Sequence, residues 1–200
     1  MARSLALALL ASGEGTTYEG LVGAVEAGRL PARIVLVLTD RPEAPVLKRA
    51  ARHGTPSASL PARGPEGATW PERADRLLRE HGAEVVVLAG YLAVLPGPFT
   101  ERWAGRIINV HPSLLPRHGG RGFYGPRVLR AVLAAPERET GVTVHLVTAE
   151  VDGGPILEQR RLTLAEGESA ETLRERLRPL ELAALESVLG RFAEGDWPLP

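Results

Sequence analysis

Four short runs of apolar residues constrain the fold most strongly, because none of them alternates with polar residues. They occupy residues 5–11, 34–39, 85–89 and 107–110. A strand with one face in water alternates apolar and polar side chains, whereas a strand covered on both faces is apolar throughout. We therefore expect an α/β fold, in which an open, mostly parallel, twisted sheet carries helices on both faces in a Rossmann-like arrangement.

The longer amphipathic stretches between these runs are predicted to form helices, and glycine directly follows three of them, as is typical of a helix end. We place helices at residues 18–27, 43–53, 66–81, 125–135 and 169–192, with Pro179 as a candidate kink in the last. Further strands are predicted at residues 57–60, 142–148 and 155–159. Because no linker or internal repeat divides the chain, we expect one domain over residues 1–200.

The composition excludes several classes of function. Lys plus Arg and Asp plus Glu number 24 each, so nothing favours a nucleic-acid or anionic-membrane partner. The absence of cysteine excludes a disulfide framework, a thiolate nucleophile and a cysteine zinc site, and no other spacing predicts a metal. Residues 1–11 are predicted to hold a buried strand rather than a signal peptide, and no apolar run is long enough to span a membrane. We expect a cytoplasmic protein.

The loop after the first strand, Ser-Gly-Glu-Gly-Thr-Thr, has the character of an anion site. Its glycines allow close approach of the backbone, and the N–H groups at the start of a helix attract a phosphate. Tyr18 occupies the third glycine position of a dinucleotide fingerprint, and no P-loop lysine follows, so a single phosphomonoester fits best. A glycine turn with a threonine cap is the plain alternative. The candidate phosphate-binding residues are Gly13, Gly15, Thr16 and Thr17.

The strongest candidates for chemistry are Asn109 and His111, which lie two residues apart at the end of a buried strand and therefore share a face. The asparagine amide can donate to a developing oxyanion, and the histidine can move a proton near neutral pH. Asp152, in an Asp-Gly-Gly-Pro turn, could hold the histidine or an ordered water. The plain alternatives are a capped strand end with a surface histidine, and an ordinary turn aspartate.

The string Asn-Val-His-Pro-Ser-Leu-Leu-Pro from Asn109, with the later Asp-Gly-Gly-Pro turn, resembles the folate-dependent formyltransferase family. The first loop and the Val-Val-Val-Leu-Ala-Gly-Tyr segment resemble the members that formylate glycinamide ribonucleotide in de novo purine biosynthesis. The similarity runs from Leu5 to about Glu181. It implies a formyltransferase domain that transfers a formyl group from the co-substrate 10-formyltetrahydrofolate to the substrate amine, without a metal, and it allows a homodimer.

The resemblance also implies roles for individual residues. Asn109, His111 and Asp152 match the catalytic trio of the family. Glu181 falls where the family has a carboxylate facing the substrate ribose, beside the phosphate loop. The residues implied in folate binding are Leu92, Ala93, Val94, Leu95, Asn109 and Val151.

The chain departs from the family pattern at several positions. Thr16 and Thr17 replace the usual Ser-Asn pair, Glu14 adds a negative charge that must point to solvent, and Ala93 stands where an arginine is common. The segment 117–125 is longer than in many members, and its glycines suggest a mobile flap. Three flap side chains are candidate ligand contacts, with surface-loop positions as the plain alternative: His118, Arg121 and Tyr124.

Three other functions remain as alternatives. Formyltetrahydrofolate hydrolases use water in place of the amine and usually carry an N-terminal regulatory domain. Methionyl-tRNA formyltransferases share the Asn-x-His core but normally have an added basic domain, which this neutral chain does not match. A non-enzymatic nucleotide-binding module would use an acidic residue at the end of the second strand, and Asp40 lies there, but the glycine fingerprint is broken. His53, His81 and His145 receive no role.

Overall fold

The computed structural model describes residues 4–63 and 65–197, so both ends of the domain expected over residues 1–200 lie outside the described residues. The strands are β1 (Leu5–Leu10), β2 (Ala32–Thr39), β3 (Ser57–Ser59), β4 (Val85–Leu88), β5 (Ile107–His111), β6 (Glu139–Leu146) and β7 (Ile156–Thr163). The α-helices are α1 (Thr16–Glu26), α2 (Val46–Arg52), α3 (Trp70–Glu80), α4 (Gly97–Arg102), α5 (Pro126–Ala134) and α6 (Ala170–Ala193), with a short 3-10 helix at Pro65–Thr69.

The strands form one sheet in the order β3-β2-β1-β4-β5-β6-β7. The pairs from β3 to β5 are parallel, whereas β6 runs antiparallel to both β5 and β7. The prediction of an open, mostly parallel sheet is therefore confirmed. The two antiparallel pairs give the sheet its asymmetric end, where β7 forms the edge.

Helices cover both faces of the sheet, which explains why the central strands lack polar alternation. In β1, Leu5, Leu7 and Leu9 pack with α1, α2, α5 and α6 in one cluster, whereas Ala8 and Leu10 pack with α3 and α4 in another. Each fully buried leucine stabilises the fold by about 2 kcal/mol relative to an exposed one. The apolar runs are therefore the interior of a three-layer structure.

The helix predictions needed three corrections. The predicted helix 43–53 begins only at Val46, because Pro45 takes the N-cap position. The predicted helix 66–81 divides into the 3-10 turn and α3, which begins at Trp70. Helix α4 was not predicted, because its six residues open with Gly-Pro and are too few to show a helical period. Helix α6 continues through Pro179.

The predictions for the last two strands were also wrong at their ends. Strand β6 begins at Glu139 and ends at Leu146, whereas residues 142–148 were expected. Strand β7 continues to Thr163, beyond the expected residue 159. Most β7 side chains are only partly buried at the edge of the sheet, so the strand has no continuous apolar run to mark its length.

The antiparallel pairing of β5 with β6 decides where the polar side chains lie. Val110 and Val144 belong to the cluster beneath α5 and α6, so their strand neighbours point to the opposite face. These neighbours are Asn109, His111 and His145. Over them run the loops 112–125 and 147–155, which turn this part of the sheet face into the wall of a cavity.

Gly141 in β6 is a position where the sheet tolerates no side chain. A Cβ there would lie 1.9 Å from the carbonyl oxygen of Arg160 on β7, and backbone cannot yield cheaply. We expect Gly141→Ala to lower the free energy of unfolding by about 3 kcal/mol, as overpacking does. Urea denaturation measures it.

The matched control is Gly190→Ala in α6, where a Cβ meets nothing within 4 Å. This variant is expected to gain up to about 1 kcal/mol, because alanine loses less backbone entropy than glycine on entering a helix. Equal urea midpoints for the two alanine variants would contradict the steric argument.

Candidate active site

His111 is the centre of the polar group on this face, and its side chain is buried. Its Nε2 lies 2.9 Å from the carbonyl oxygen of His118, and its Nδ1 lies 3.6 Å from Oδ2 of Asp152. Because a carbonyl only accepts hydrogen bonds, the proton of the neutral ring is on Nε2. Burial lowers the pKa of His111, and the nearby carboxylate of Asp152 offsets this only in part. The resting ring is therefore neutral near pH 7, with the lone pair of Nδ1 towards the aspartate.

Asp152 is held by an unusual turn. Its φ of 56° is in the left-handed region, which aspartate tolerates better than most residues. A Cβ on Gly154 would lie 1.9 Å from the carbonyl oxygen of Leu146, so the turn requires a glycine there. Oδ2 of Asp152 accepts a hydrogen bond of 2.9 Å from the backbone N–H of Gly120. The turn thus aims the carboxylate back over β5.

The pKa of Asp152 is lowered despite its burial. Burial alone raises the pKa of a carboxyl group, but His145, His111 and the N–H of Gly120 together outweigh it. Oδ1 of Asp152 lies 3.5 Å from Nε2 of His145. The aspartate is therefore a carboxylate at neutral pH, next to a neutral His111.

His145 belongs to this group although the sequence analysis assigned it no role. It lies directly opposite Asn109 in the β5–β6 pairing, and its Nε2 lies 3.1 Å from Nδ2 of Asn109. Its Nδ1 donates to the carbonyl oxygen of Leu146 at 2.8 Å, which leaves Nε2 to accept from the asparagine amide. The alternation of β6 was a usable signal, but only the register with β5 shows which residue it faces.

A cavity of about 390 Å³ opens above these side chains. This is within the range of sites for small organic ligands. The predicted folate residues all line it: Leu92, Ala93, Val94, Leu95, Asn109 and Val151. Val94, Phe123 and Tyr124 are exposed at its rim, which gives the opening an apolar border.

The flap residues behave differently from one another. Arg121 and Tyr124 line the cavity, as expected of candidate ligand contacts. His118 does not, because its Nε2 instead lies 3.2 Å from Oε1 of Glu137. The flap also makes close contacts with the site through the carbonyl of His118 and the N–H of Gly120.

The glycine loop has the form of a helix N-terminus without a side-chain cap. Gly15 has a φ of 71°, and a Cβ there would lie 2.5 Å from Cγ2 of Val46, so the residue must be glycine. The carbonyl of Gly13 accepts from the N–H of Val46 at 3.1 Å, which ties the loop to α2. The side chain of Glu14 is exposed, as predicted for a negative charge next to the candidate phosphate loop.

Thr16, Thr17 and Glu181 line a smaller cavity of about 170 Å³ together with Arg178. Arg178 was not predicted, because nothing in its spacing distinguishes it from other arginines of α6. Burial raises the pKa of Glu181, and the positive charges of Arg174 and Arg178 offset part of that rise.

The two cavities are lined by different residues. The loops that line them are joined by a hydrogen bond of 2.8 Å from the N–H of Leu92 to Oγ of Ser12. Ser12 is buried beneath this contact. Among the described residues, no group of three or more His, Cys, Asp or Glu could hold a metal ion. No helix in that part of the chain is long and apolar enough to cross a membrane.

The lowered pKa of His111 predicts a pH dependence of stability. Below about pH 6.5 this histidine becomes protonated in the unfolded chain, whereas in the native protein it stays neutral to lower pH. The contribution of His111 to the free energy of unfolding is therefore complete above that pH and is lost as pH falls. The free energy of unfolding should therefore decline more steeply from pH 7.5 to pH 5 in the natural protein than in His111→Asn. Because one proton is involved, the two slopes can differ by at most about 1.4 kcal/mol per pH unit. Parallel denaturation curves would contradict this.

Known proteins match this architecture over nearly the whole chain. The family model described as formyl transferase matches residues 5–189. Phosphoribosylglycinamide formyltransferase of Haemophilus influenzae is 33% identical over 190 residues, which cover 94% of this chain and 87% of that protein. The trifunctional purine biosynthetic protein adenosine-3 of Gallus gallus is 37% identical, again over 94% of this chain, but the chain spans only 18% of it.

A solved structure shows the same fold at similar identity. The crystal structure of glycinamide ribonucleotide transformylase 1 from Symbiobacterium toebii superposes with a TM-score of 0.89 at 34% identity, covering 98% of this chain and 90% of that one. With a family model that covers most of the sequence and a relative of matching length, this chain belongs to the formyl transferase family.

Proposed function

We propose that this chain transfers a formyl group from 10-formyltetrahydrofolate to the amine of glycinamide ribonucleotide, as a step of de novo purine biosynthesis. The observation that carries the proposal is the meeting of Asn109, His111 and Asp152 at the floor of one cavity, with a helix N-terminus lining another. The Haemophilus influenzae and Symbiobacterium toebii relatives are named for this activity. A cytoplasmic location and a homodimer stay predictions.

The larger cavity fits the folate co-substrate, which supplies the formyl carbon. Residues 92–95, the segment that the family resemblance implies in pterin binding, line this cavity together with Val151. The apolar rim suits the aromatic body of the carrier. Since Ala93 offers no guanidinium group, recognition at that position relies on the backbone. No metal is needed for this chemistry.

The smaller cavity fits the phosphate and ribose of the amine substrate. The free N–H groups at the start of α1, with the hydroxyls of Thr16 and Thr17, can bind a phosphate. The predicted Gly13 and Gly15 precede α1 and do not line this cavity. Glu181 faces the same space and can accept hydrogen bonds from ribose hydroxyls, and Arg178 adds a positive charge.

The neutral state of His111 suggests how the proton moves. Its Nδ1 carries a lone pair and can accept the proton that the amine loses as it attacks the formyl carbon. The imidazolium so formed lies 3.6 Å from the carboxylate of Asp152, which stabilises it. The same ring can then return the proton to the leaving folate nitrogen, either directly or through a water held by Asp152.

Asn109 completes the site as a donor to the oxyanion. One N–H of its amide faces His145, and the second is available to the oxygen that gains charge in the transition state. A preorganised donor of this kind typically contributes about 3 kcal/mol to lowering the barrier. His145 orients Asn109, and proximity of the two bound substrates supplies much of the remainder.

The first test is formyl transfer from 10-formyltetrahydrofolate to glycinamide ribonucleotide, followed by absorbance of the folate product. Asn109→Ala is expected to lower kcat by roughly 100-fold or more through loss of the oxyanion donor. Asp152→Asn is expected to lower it similarly, because the imidazolium loses its counter-charge. Asp196→Asn, which removes an exposed carboxylate distant in sequence, is the matched control and should keep full activity. Unchanged kcat in both site variants would refute these roles.

The same assay without the amine distinguishes transfer from hydrolysis. Folate release at the full rate without glycinamide ribonucleotide would favour a formyltetrahydrofolate hydrolase. We expect release only when the amine is present.

The proposed phosphate site predicts a separation of the two Michaelis constants. The double variant Thr16→Ala, Thr17→Ala should raise KM for glycinamide ribonucleotide about tenfold or more, since hydrogen bonds to a charged phosphate are stronger than neutral ones. KM for the folate should stay within about twofold, because that ligand occupies the other cavity. Equal increases in both constants would argue against the assignment.

A further inference from the structure

The pair formed by His118 and Glu137 is not used by the proposed reaction. Glu137 lies between α5 and β6, and its Oε1 is 3.2 Å from Nε2 of His118 and 3.3 Å from a guanidinium nitrogen of Arg117. The side chains of His118 and Glu137 are only 14% and 18% exposed, so this is not a loose surface contact. The ring of Phe123 packs edge-on against His118 at 6.3 Å.

The backbone at His118 is held in an uncommon conformation. Its φ is 55°, in the left-handed region that non-glycine residues seldom occupy. Such a conformation persists only when its surroundings hold it in place. Here the side-chain contact with Glu137 fixes one side of the residue, and the hydrogen bond from Ser113 Oγ to the carbonyl of Arg117, 2.8 Å long, fixes the preceding peptide.

This segment contacts both groups of the proposed proton transfer. The carbonyl of His118 accepts from Nε2 of His111, and two residues later the N–H of Gly120 donates to Oδ2 of Asp152. Between them, Gly119 passes so close to Leu115 that an added Cβ would lie 2.3 Å from Cδ2 of that leucine. The path of the chain through these residues therefore sets where both reacting groups point.

We propose that His118 and Glu137 are a positioning pair, which holds the His118 carbonyl where it keeps the proton of His111 on Nε2 and leaves Nδ1 unprotonated. Its catalytic consequence rests on the proposed formyl transfer, whereas its effect on His111 does not. Neither residue touches the reacting atoms. They act through the carbonyl group between them and the catalytic ring.

The direct test is the tautomer of His111 in the protein without ligands. The chain has five histidines, so their ¹⁵N imidazole resonances can be assigned with variants that each replace one histidine. The natural protein should show the Nε2–H tautomer for His111. In Glu137→Ala and in His118→Asn, we expect His111 to show exchange-averaged shifts, because its acceptor is no longer fixed. Asparagine tolerates the left-handed backbone but is too short to reach Glu137.

Kinetics give an independent measurement. In both variants kcat should fall about tenfold, in line with the loss expected when a proton-transfer group is poorly positioned. KM for each substrate should stay within about twofold, since neither variant changes a proposed substrate contact. Glu137→Gln can still accept from Nε2 of His118 and should restore most of kcat and the Nε2–H signal.

Two control variants separate this role from general effects of charge. Arg117→Ala removes the other partner of Glu137 and should leave the His111 tautomer unchanged. Glu139→Gln removes a neighbouring carboxylate that pairs with Arg161 on β7, and should leave both measurements unchanged. Asp152, His118 and His145 are the ionisable groups whose charges act on His111, so all spectra are compared at one pH.

The outcomes are distinct. The positioning role would be overturned if Glu137→Ala and His118→Asn both kept the natural His111 tautomer and the natural kcat. It would also be overturned if Arg117→Ala changed the His111 tautomer as much as Glu137→Ala does. If the natural protein formylates no amine but the tautomer responds as expected, the proposed function fails and the positioning pair stands.

Discussion

The site depends on the antiparallel pairing of β5 with β6. That pairing places His145 directly opposite Asn109 and puts both, with His111, on the sheet face away from α5 and α6. If β6 ran parallel to β5, the loop that follows β6 would begin at the opposite end of β5. Here the chain leaves β6 and turns back sharply at Gly154, which brings Asp152 over the histidine. The packing of the apolar side chains on the opposite face fixes the register, because a slip by one residue would reverse the direction of every side chain.

The electrostatics of the site follow from its burial. Burial favours the neutral form of His111, whereas the groups around Asp152 keep that side chain ionised. Nδ1 of His111 and Oδ2 of Asp152 lie 3.6 Å apart. This combination leaves an unprotonated base at neutral pH, with a carboxylate beside it that stabilises the imidazolium formed when the base accepts a proton. The groups that lower the pKa of Asp152 come from different parts of the chain, since His145 lies on β6, His111 on β5, and the N–H of Gly120 in the flap. The charge state of the site therefore depends on tertiary structure rather than on any one segment.

Sequence reasoning could predict the sheet and the catalytic candidates for a simple reason. Uninterrupted apolar runs require burial on both faces, and residues two apart in a strand share a face, which was enough to group Asn109 with His111. It could not predict His145, because its partner is set by a strand register that local patterns do not encode. The glycine loop and the helix start placed Thr16 and Thr17 near a phosphate, and the family resemblance placed Glu181 near a ribose, but Arg178 emerged only from packing. Helix α4 and the length of β7 were missed because a six-residue helix and a largely polar edge strand lack a periodic apolar signal.

The hydrogen bond between Ser12 and Leu92 has a further consequence, because it joins the loops that line the two cavities. The N–H of Ser12 also donates to the carbonyl oxygen of Gly90 at 3.2 Å, so two hydrogen bonds connect the glycine loop to the loop after β4. A shift of one loop would therefore move the lining of the other cavity as well. The distance between the two proposed ligands, on which the attack of the amine on the formyl carbon depends, is thus coupled to one buried serine.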